Sequence, residues 1–304
     1  MKLAFSSVGC PAWDLATMVE KAKEYGYAGI ELRGLAGQLH LPLAPQLASN
    51  PAKIARLMRE TGVELVCLST SACFHMRDRK EVAENQAQVR EYVELAGKLQ
   101  CPFVRVFGAE IPPLRFKLLG YERREAVLAR IARALVALAP HAAAHRVTIL
   151  IENSGDFCDS AAMWYLVDAV SSPAVKCCWN PLAARTRNER PTTSIPRLGV
   201  KIGLVHLSDG KFTTDGSFEG HALPGQGHVE IPRLVQLLKG IGYGGYLCFD
   251  WPKLWNASLA DADKAFPAAA AYLQPLIDEK PIPMTAYKTD KFSPKYDLHE
   301  SAAS

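Results

Sequence analysis

The sequence predicts an α/β fold in which eight parallel strands, each followed by a helix, close into a single (β/α)8 barrel, the TIM barrel. Short apolar runs alternate with helical segments along the chain, and the 304 residues hold eight such pairs. Barrels of this kind run to about 250 residues as one domain. The turn after the first strand, Ser6-Ser-Val-Gly-Cys-Pro11, lacks the glycine-rich phosphate loop of an open nucleotide-binding sheet, which favours the closed barrel.

The individual elements follow from apolar periodicity and from capping residues. Asp14, Asn50 and Asp159 stand where helix N-caps are expected, and Gly26 and Gly62 end two of the helices. The predicted strands are residues 2–6, 29–33, 64–69, 103–108, 147–152, 175–179, 202–207 and 245–249. The predicted helices are residues 15–25, 51–61, 82–99, 124–145, 160–170, 231–241 and 259–277, and one helical turn within residues 181–199 follows the sixth strand.

Three stretches show no clear periodicity. Residues 181–199 are predicted to be irregular with one helical turn, and residues 208–227 to form a loop rich in glycine and threonine. Residues 1–278 are predicted to form the barrel as one domain. Residues 279–304 are predicted to be a C-terminal extension, either disordered in part or wrapped around a neighbouring subunit.

Composition narrows the class of protein. Hydrophobic residues make up 49% and charged residues 22%, as in ordinary soluble globular proteins. The net charge of +4 is spread without a basic block, which argues against nucleic-acid binding. No run approaching membrane-spanning length and no leader is recognised, so a cytoplasmic protein without a membrane partner is expected. The eight cysteines lack zinc-finger spacing and are predicted to be buried free thiols.

Polar side chains close the last four predicted strands. Glu152, Asn180, His206 and Asp250 each follow a short apolar run. In a parallel barrel the carboxyl ends of the strands meet at one mouth, where catalytic groups are found. Carboxylate, amide and imidazole groups there could converge on one divalent cation. The same residues also admit structural interpretations, as a buried ion pair, a core histidine or helix caps.

Several longer motifs surround those positions. They are Ile149-Leu-Ile-Glu-Asn153, Cys178-Trp-Asn180, Val205-His-Leu-Ser-Asp209, Leu223-Pro-Gly-Gln-Gly227, and Ile241-Gly-Tyr-Gly-Gly-Tyr-Leu247 with Asp250-Trp251 and Trp255. In this order they resemble the xylose isomerase-like superfamily of sugar isomerases and epimerases, over residues 2–277. The resemblance implies one divalent metal bound at four strand ends through Glu, Asp, His and Glu. Carried over, those ligands are Glu152, Asn180, His206 and Asp250.

The chain departs from this pattern at three positions. Asn180 replaces an aspartate, Asp250 replaces a longer glutamate, and Ala183 stands where the family often has a histidine. Asn keeps a carbonyl oxygen but loses a negative charge, so affinity for a hard cation should fall. Two carboxylates and one imidazole remain, which suits Mn²⁺ or Mg²⁺. Without a thiolate at a strand end, the set is a poor zinc site.

The resemblance implies a metal-dependent isomerase or epimerase acting on a ketose or polyol-ketone. Glu152 and Asp250 would then transfer protons next to a carbonyl, by an enediolate mechanism. The residues proposed to contact the substrate are His75, Arg105, Lys211 and Trp251. The expected partners are a small carbohydrate or polyol and further subunits, in a homo-oligomer or in a hetero-oligomer formed through the C-terminal tail.

Other functions remain open on the same residues. One is a lyase of the same superfamily, either an inosose-type dehydratase or a subunit that cleaves carbon-linked glycosides. Another is a catalytically degenerate carbohydrate-binding or partner subunit, which Asn180 and Ala183 would fit. A DNA-repair endonuclease of this barrel superfamily would need more histidine ligands than can be placed. Glu31, Arg33 and Arg105 could instead form structural ion pairs inside the barrel.

Overall fold

A computed structural model describes residues 1–114 and 120–281, and it contains the predicted closed barrel of eight parallel strands. The barrel strands are β1 (Lys2–Ser6), β2 (Gly29–Leu32), β3 (Glu64–Ser69), β4 (Phe103–Phe107), β5 (Thr148–Glu152), β6 (Val175–Trp179), β7 (Ile202–Leu207) and β10 (Tyr246–Phe249). The ring closes where β1 pairs with β10. Strands β8 (Asp209–Phe212) and β9 (Phe218–Ala222) form a separate antiparallel hairpin.

Helices surround the barrel. They are α1 (Leu15–Tyr25), α2 (Pro45–Ala48), α3 (Pro51–Thr61), α4 (Arg79–Leu99), α5 (Arg124–Ala144), α6 (Ser160–Val170), α7 (Pro181–Thr186), α8 (Pro191–Leu198), α9 (Ile231–Gly240) and α10 (Ala262–Asp278). The predicted caps are confirmed: Asp14, Asn50 and Asp159 each accept a backbone N–H of the first turn. Gly26 and Gly62 end their helices at φ 80° and 74°, which favour glycine.

The prediction for residues 181–199 was wrong, because that segment holds the two helices α7 and α8. Pro181 and Pro191 stand at their first positions, where a missing N–H costs nothing. Both helices are short, and Pro196 lies inside the second. Prolines at this density conceal helical periodicity, and this is why the sequence suggested an irregular segment.

The prediction of a plain loop over residues 208–227 was also wrong, because the hairpin of β8 and β9 lies there. The Asp209 carboxylate organises the hairpin by accepting backbone N–H groups from Gly210, Gly225, Gly227 and Val229 at 2.8–3.0 Å. Gly227 is required for this approach, since a Cβ there would lie 2.2 Å from Asp209 Oδ1. One carboxylate thus holds the hairpin together. The two strands are too short to show the alternation of side chains that marks a longer hairpin in a sequence.

The barrel interior contains small and sulfur-containing side chains. Its cluster consists of Ala4, Val66, Cys67, Leu150, Cys178, Leu204, Tyr246 and Cys248. All eight cysteines are free and seven are buried, as the sequence predicted. Side chains two residues apart on a strand share a face. The layer above Leu150, Cys178, Leu204 and Cys248 is therefore made by the residues that follow each of them by two.

Helix α5 is long and apolar enough, by length and composition alone, to cross a membrane. The expectation that no run approaches that length was therefore wrong. About half of the helix is buried, and it packs against α4, α6 and β5 through residues such as Val127, Ile131 and Leu135. A core helix of a barrel meets the same criterion. The cytoplasmic location stays a prediction, and the proposed extension lies largely outside the described residues.

Candidate active site

A cavity of about 460 Å³ opens at the carboxyl ends of the barrel strands. Glu152, Asn180 and Asp250 line it, and His206 lies directly beside Glu152. These are the residues two positions beyond Leu150, Cys178, Cys248 and Leu204, so strand geometry places all four in one layer. The wall also includes Ser6, Arg33, Arg105, Asn153, His221 and Trp255.

Glu152 is buried and every oxygen of its carboxylate has a partner. Oε1 accepts from Asn180 Nδ2 at 3.2 Å and lies 3.1 Å from His206 Nδ1, while Oε2 lies 3.2 Å from Arg105 Nε. Burial by itself would raise the pKa of Glu152. The charges of His206 and Arg105 outweigh that effect and lower the pKa to about 2. Glu152 is therefore held as an anion.

His206 bridges two carboxylates. Its Nε2 lies 2.5 Å from Glu31 Oε2, and its Nδ1 faces Glu152. Burial alone would lower the pKa of His206. The carboxylates of Glu31 and Glu152 raise it well above its usual value instead. The ring then donates a proton to each carboxylate, and Ser6 donates to the other oxygen of Glu31 at 2.9 Å.

The Asn180 side chain is occupied at both ends. Its Oδ1 accepts the backbone N–H of Ala183 at 3.0 Å as the N-cap of α7, and its Nδ2 donates to Glu152. Its backbone N–H donates to Asn153 Oδ1 at 2.6 Å. In this arrangement the amide oxygen, the atom that would bind a metal, caps a helix.

Asp250 differs from Glu152 in its surroundings. It follows β10, and its carboxyl makes no hydrogen bond or ion pair with the described residues 1–114 and 120–281. Burial raises the pKa of Asp250 to about 6, from an ordinary value of 3.8. Two carboxyl groups on one cavity thus have opposite tendencies, one fixed as an anion and the other ready to exchange a proton near neutral pH.

The residues proposed to contact substrate are placed differently from one another. Arg105 lines the cavity, and its guanidinium donates to Ser69 Oγ and to the Thr70 carbonyl, both at 3.2 Å. Trp251 is buried and donates its indole N–H to the Ala260 carbonyl, away from the cavity wall. His75 and Lys211 also lie outside that wall.

The hairpin contributes a residue that the sequence did not single out. His221 on β9 lines the cavity, and its Nδ1 is buried without a hydrogen-bond partner in the described part of the chain. Burial lowers the pKa of His221, which keeps the ring neutral. Only a recognised hairpin could have indicated this position, because His221 belongs to none of the barrel strands.

Donor groups for a divalent metal are present. Donor atoms of Glu152, His206 and Cys178 lie within 4.8 Å of one another. The Nε2 contact of His206 with Glu31 matches the usual pairing in which a metal-bound histidine donates its other N–H to a carboxylate. Burial raises the pKa of the Cys178 thiol to about 12, which disfavours it as a ligand. The set fits a cation at Glu152 and His206. Asp250 does not join these donor atoms within 4.8 Å, and Asn180 departs from the family pattern.

Comparisons with known proteins agree with this fold. The family model described as a xylose isomerase-like TIM barrel matches residues 19–276. No curated protein matches the chain in sequence. The solved structure of the protein IOLI with a bound zinc atom shares 18% identity at a TM-score of 0.76, covering 91% of this chain and 98% of that one.

Two further solved structures have the same fold. A D-tagatose 3-epimerase-like protein shares 19% identity at a TM-score of 0.70, covering 91% of this chain and 97% of that one. The "probable 3-DHS dehydratase AsbF" of Bacillus anthracis shares 15% identity at a TM-score of 0.72, covering 90% and 99%. The family indicated by the strand-end motifs is confirmed. Since the family model spans most of its length, the chain belongs to the xylose isomerase-like TIM barrel family.

Proposed function

We propose that this protein is an enzyme that moves a proton next to the carbonyl of a polyhydroxylated ketone, as an isomerase or epimerase. The observation that carries the proposal is the pair of carboxyl groups, Glu152 and Asp250, on the wall of one sugar-sized cavity. Glu152 ends β5 and Asp250 follows β10, and β6 and β7 separate these two strands in the ring. Groups that are separated in this way approach a bound substrate from different sides.

The two carboxyl groups have different roles in this proposal. Asp250 has no side-chain partner among the described residues and a pKa of about 6, so it is the group suited to accept and return a proton near neutral pH. Glu152 is engaged by Arg105, His206 and Asn180, and it supplies fixed negative charge. The neutral imidazole of His221 offers a second proton-transfer group on the wall.

Metal dependence is part of the proposal. Glu152 and His206, whose donor atoms lie within 4.8 Å of each other, would hold a divalent cation, and the cation would polarise the substrate carbonyl as a Lewis acid. His206 must release the proton on Nδ1 to become a ligand, while Glu31 keeps the proton on Nε2 and orients the ring. Two solved structures with this fold bear the names of an epimerase-like protein and of IOLI with zinc, which supports the choice of chemistry.

A lyase is the second candidate, and one observation favours it. Only one of the two carboxyl groups, Asp250, is free in the described structure, and elimination requires a single base to begin. The same proton removal starts both reactions, so the product distinguishes them. A carbohydrate-binding subunit without catalysis is the third outcome.

The test is hydrogen exchange in D₂O, followed by NMR, with a panel of ketoses and cyclic polyol ketones and with added Mn²⁺. Wild type should exchange the C–H next to the carbonyl, and Asp250→Asn should lower the rate by about 10²–10⁴-fold. Asp168→Asn, a change at an exposed carboxylate, serves as the control. Exchange that persists in Asp250→Asn would exclude Asp250 as the base. Absence of exchange in wild type with every ketone would favour the binding subunit.

A further inference from the structure

Arg33 is a charged residue of the cavity wall that forms no ion pair with residues 1–114 and 120–281. Arg33 follows β2, is only 6% exposed and lines the same cavity as Glu152 and Asp250. Its Nη2 donates to Ser71 Oγ at 2.6 Å. Its Nη1 is buried and has no hydrogen-bond partner within residues 1–114 and 120–281. A buried guanidinium nitrogen without an acceptor is costly, so a ligand that supplies one is expected there.

The charges around Arg33 indicate the kind of ligand. Arg105 is ion-paired to Glu152, and His206 is paired to both Glu31 and Glu152. Arg33 has no ion pair among the described residues, although a guanidinium stays charged in proteins. The nearby carboxylates of Glu31 and Glu152 attract it only at longer range. Its own partner is therefore expected to be an anion that arrives with the ligand.

The donors available favour a carboxylate over a phosphate. The Trp255 ring lies beside the Arg33 guanidinium, with its centre 5.9 Å from Cζ, and the Nη1 edge of that group has no acceptor among the described residues. A carboxylate matches that edge. A phosphate would bring more oxygens. Among the described residues, the only other guanidinium on the wall is that of Arg105, which is committed to Glu152 and to Ser69.

We propose that the ligand of this cavity is a polyhydroxylated carboxylic acid, of the sugar-acid class, whose carboxylate binds Arg33. Its carbonyl end then lies toward Glu152 and Asp250, which line the same cavity. The reaction of this ligand rests on the proposed function, whereas its binding by Arg33 does not. The carboxylate completes the hydrogen bonding of Nη1 and neutralises the one cation of the wall that the described residues leave unpaired.

Binding and turnover are tested separately. Titration calorimetry on the full chain compares matched ligands that differ at one group: D-fructose with D-fructuronate, D-glucose with D-glucuronate, and D-fructose 6-phosphate as the phosphate arm. We expect each acid to bind about 10- to 100-fold more tightly than its neutral counterpart, as one charged hydrogen-bonded pair would give. In Arg33→Gln that preference should disappear. It should persist in Arg123→Gln, a change at an exposed arginine.

Several outcomes overturn the inference. They are equal binding of acids and neutral sugars by wild type, an acid preference that persists in Arg33→Gln, and a preference for the phosphate ester over the acid. If Arg33→Gln does not fold, the wild-type comparison of acids with neutral sugars still tests the inference. Arg33→Lys also tests it, because Lys keeps the positive charge but lacks the planar fork of donors. Exchange in D₂O with neutral ketones, without a preference for acids, would support the proposed function and contradict the sugar-acid ligand. Acid binding through Arg33 without exchange would support the sugar-acid ligand and contradict the proposed function.

Discussion

Asp250→Asn should make the protein more stable at alkaline pH while it removes activity. The pKa of Asp250 is raised by burial to about 6, from an ordinary 3.8. A raised carboxyl pKa means that ionisation is disfavoured in the folded protein, so the penalty is present above pH 6. It shrinks as the pH falls from 6 to 4, and it is absent below both values. Asn carries no charge at any of these pH values.

The magnitude follows from the shift. A difference of about two pH units corresponds to at most about 3 kcal/mol at pH 8. The carboxyl reaches the cavity, where water screens it, so a gain of roughly 1–2 kcal/mol is expected for the variant. For a chain of this length, that raises the unfolding temperature by about 2–3 °C.

The assay is urea and thermal unfolding of wild type and Asp250→Asn at pH 8 and at pH 4, with a chelator present to exclude metal binding. Asp263→Asn, at an exposed carboxylate, is the matched control and should change stability by less than about 0.5 kcal/mol. The reasoning is refuted if the variant is no more stable than wild type at pH 8. A gain of equal size at both pH values would refute it too, because the stabilisation would then be unrelated to ionisation.

Two further substitutions test the metal site and the hairpin of β8 and β9. Asn180→Asp should strengthen Mn²⁺ binding, measured by calorimetry, because it adds an anionic ligand. It should also destabilise the metal-free protein, because it brings a second carboxylate to within about 3.2 Å of Glu152 Oε1. Unchanged or weaker affinity for Mn²⁺ would mean that residue 180 is not a ligand. Asp209→Ala removes the acceptor of four backbone N–H groups and should cost on the order of 3 kcal/mol in urea unfolding. Asp215→Ala in the same hairpin is the comparison, and an equal loss there would mean that Asp209 does not organise the hairpin.

Much of the fold could be predicted from the sequence because its signals are local. Asp14 and Asn50 cap helices through their own first turns, and Gly26 and Gly62 end helices by adopting positive φ. Each barrel strand is a short apolar run, and eight such runs separated by helices leave few topologies other than a closed barrel. The hairpin was missed because its organising contacts join Asp209 to backbone groups up to 20 residues away.

The chemistry of the site depends on contacts that span the chain. The sequence determined which residues end the strands, and strand alternation alone brings Glu152, Asn180, His206 and Asp250 into one layer. Only the closed ring places Glu31 against His206, 175 residues away, and pairs Glu152 with both His206 and Arg105. A pKa reflects burial and neighbouring charge rather than residue type. For that reason, only the tertiary structure distinguishes the fixed anion of Glu152 from the proton-exchanging carboxyl of Asp250.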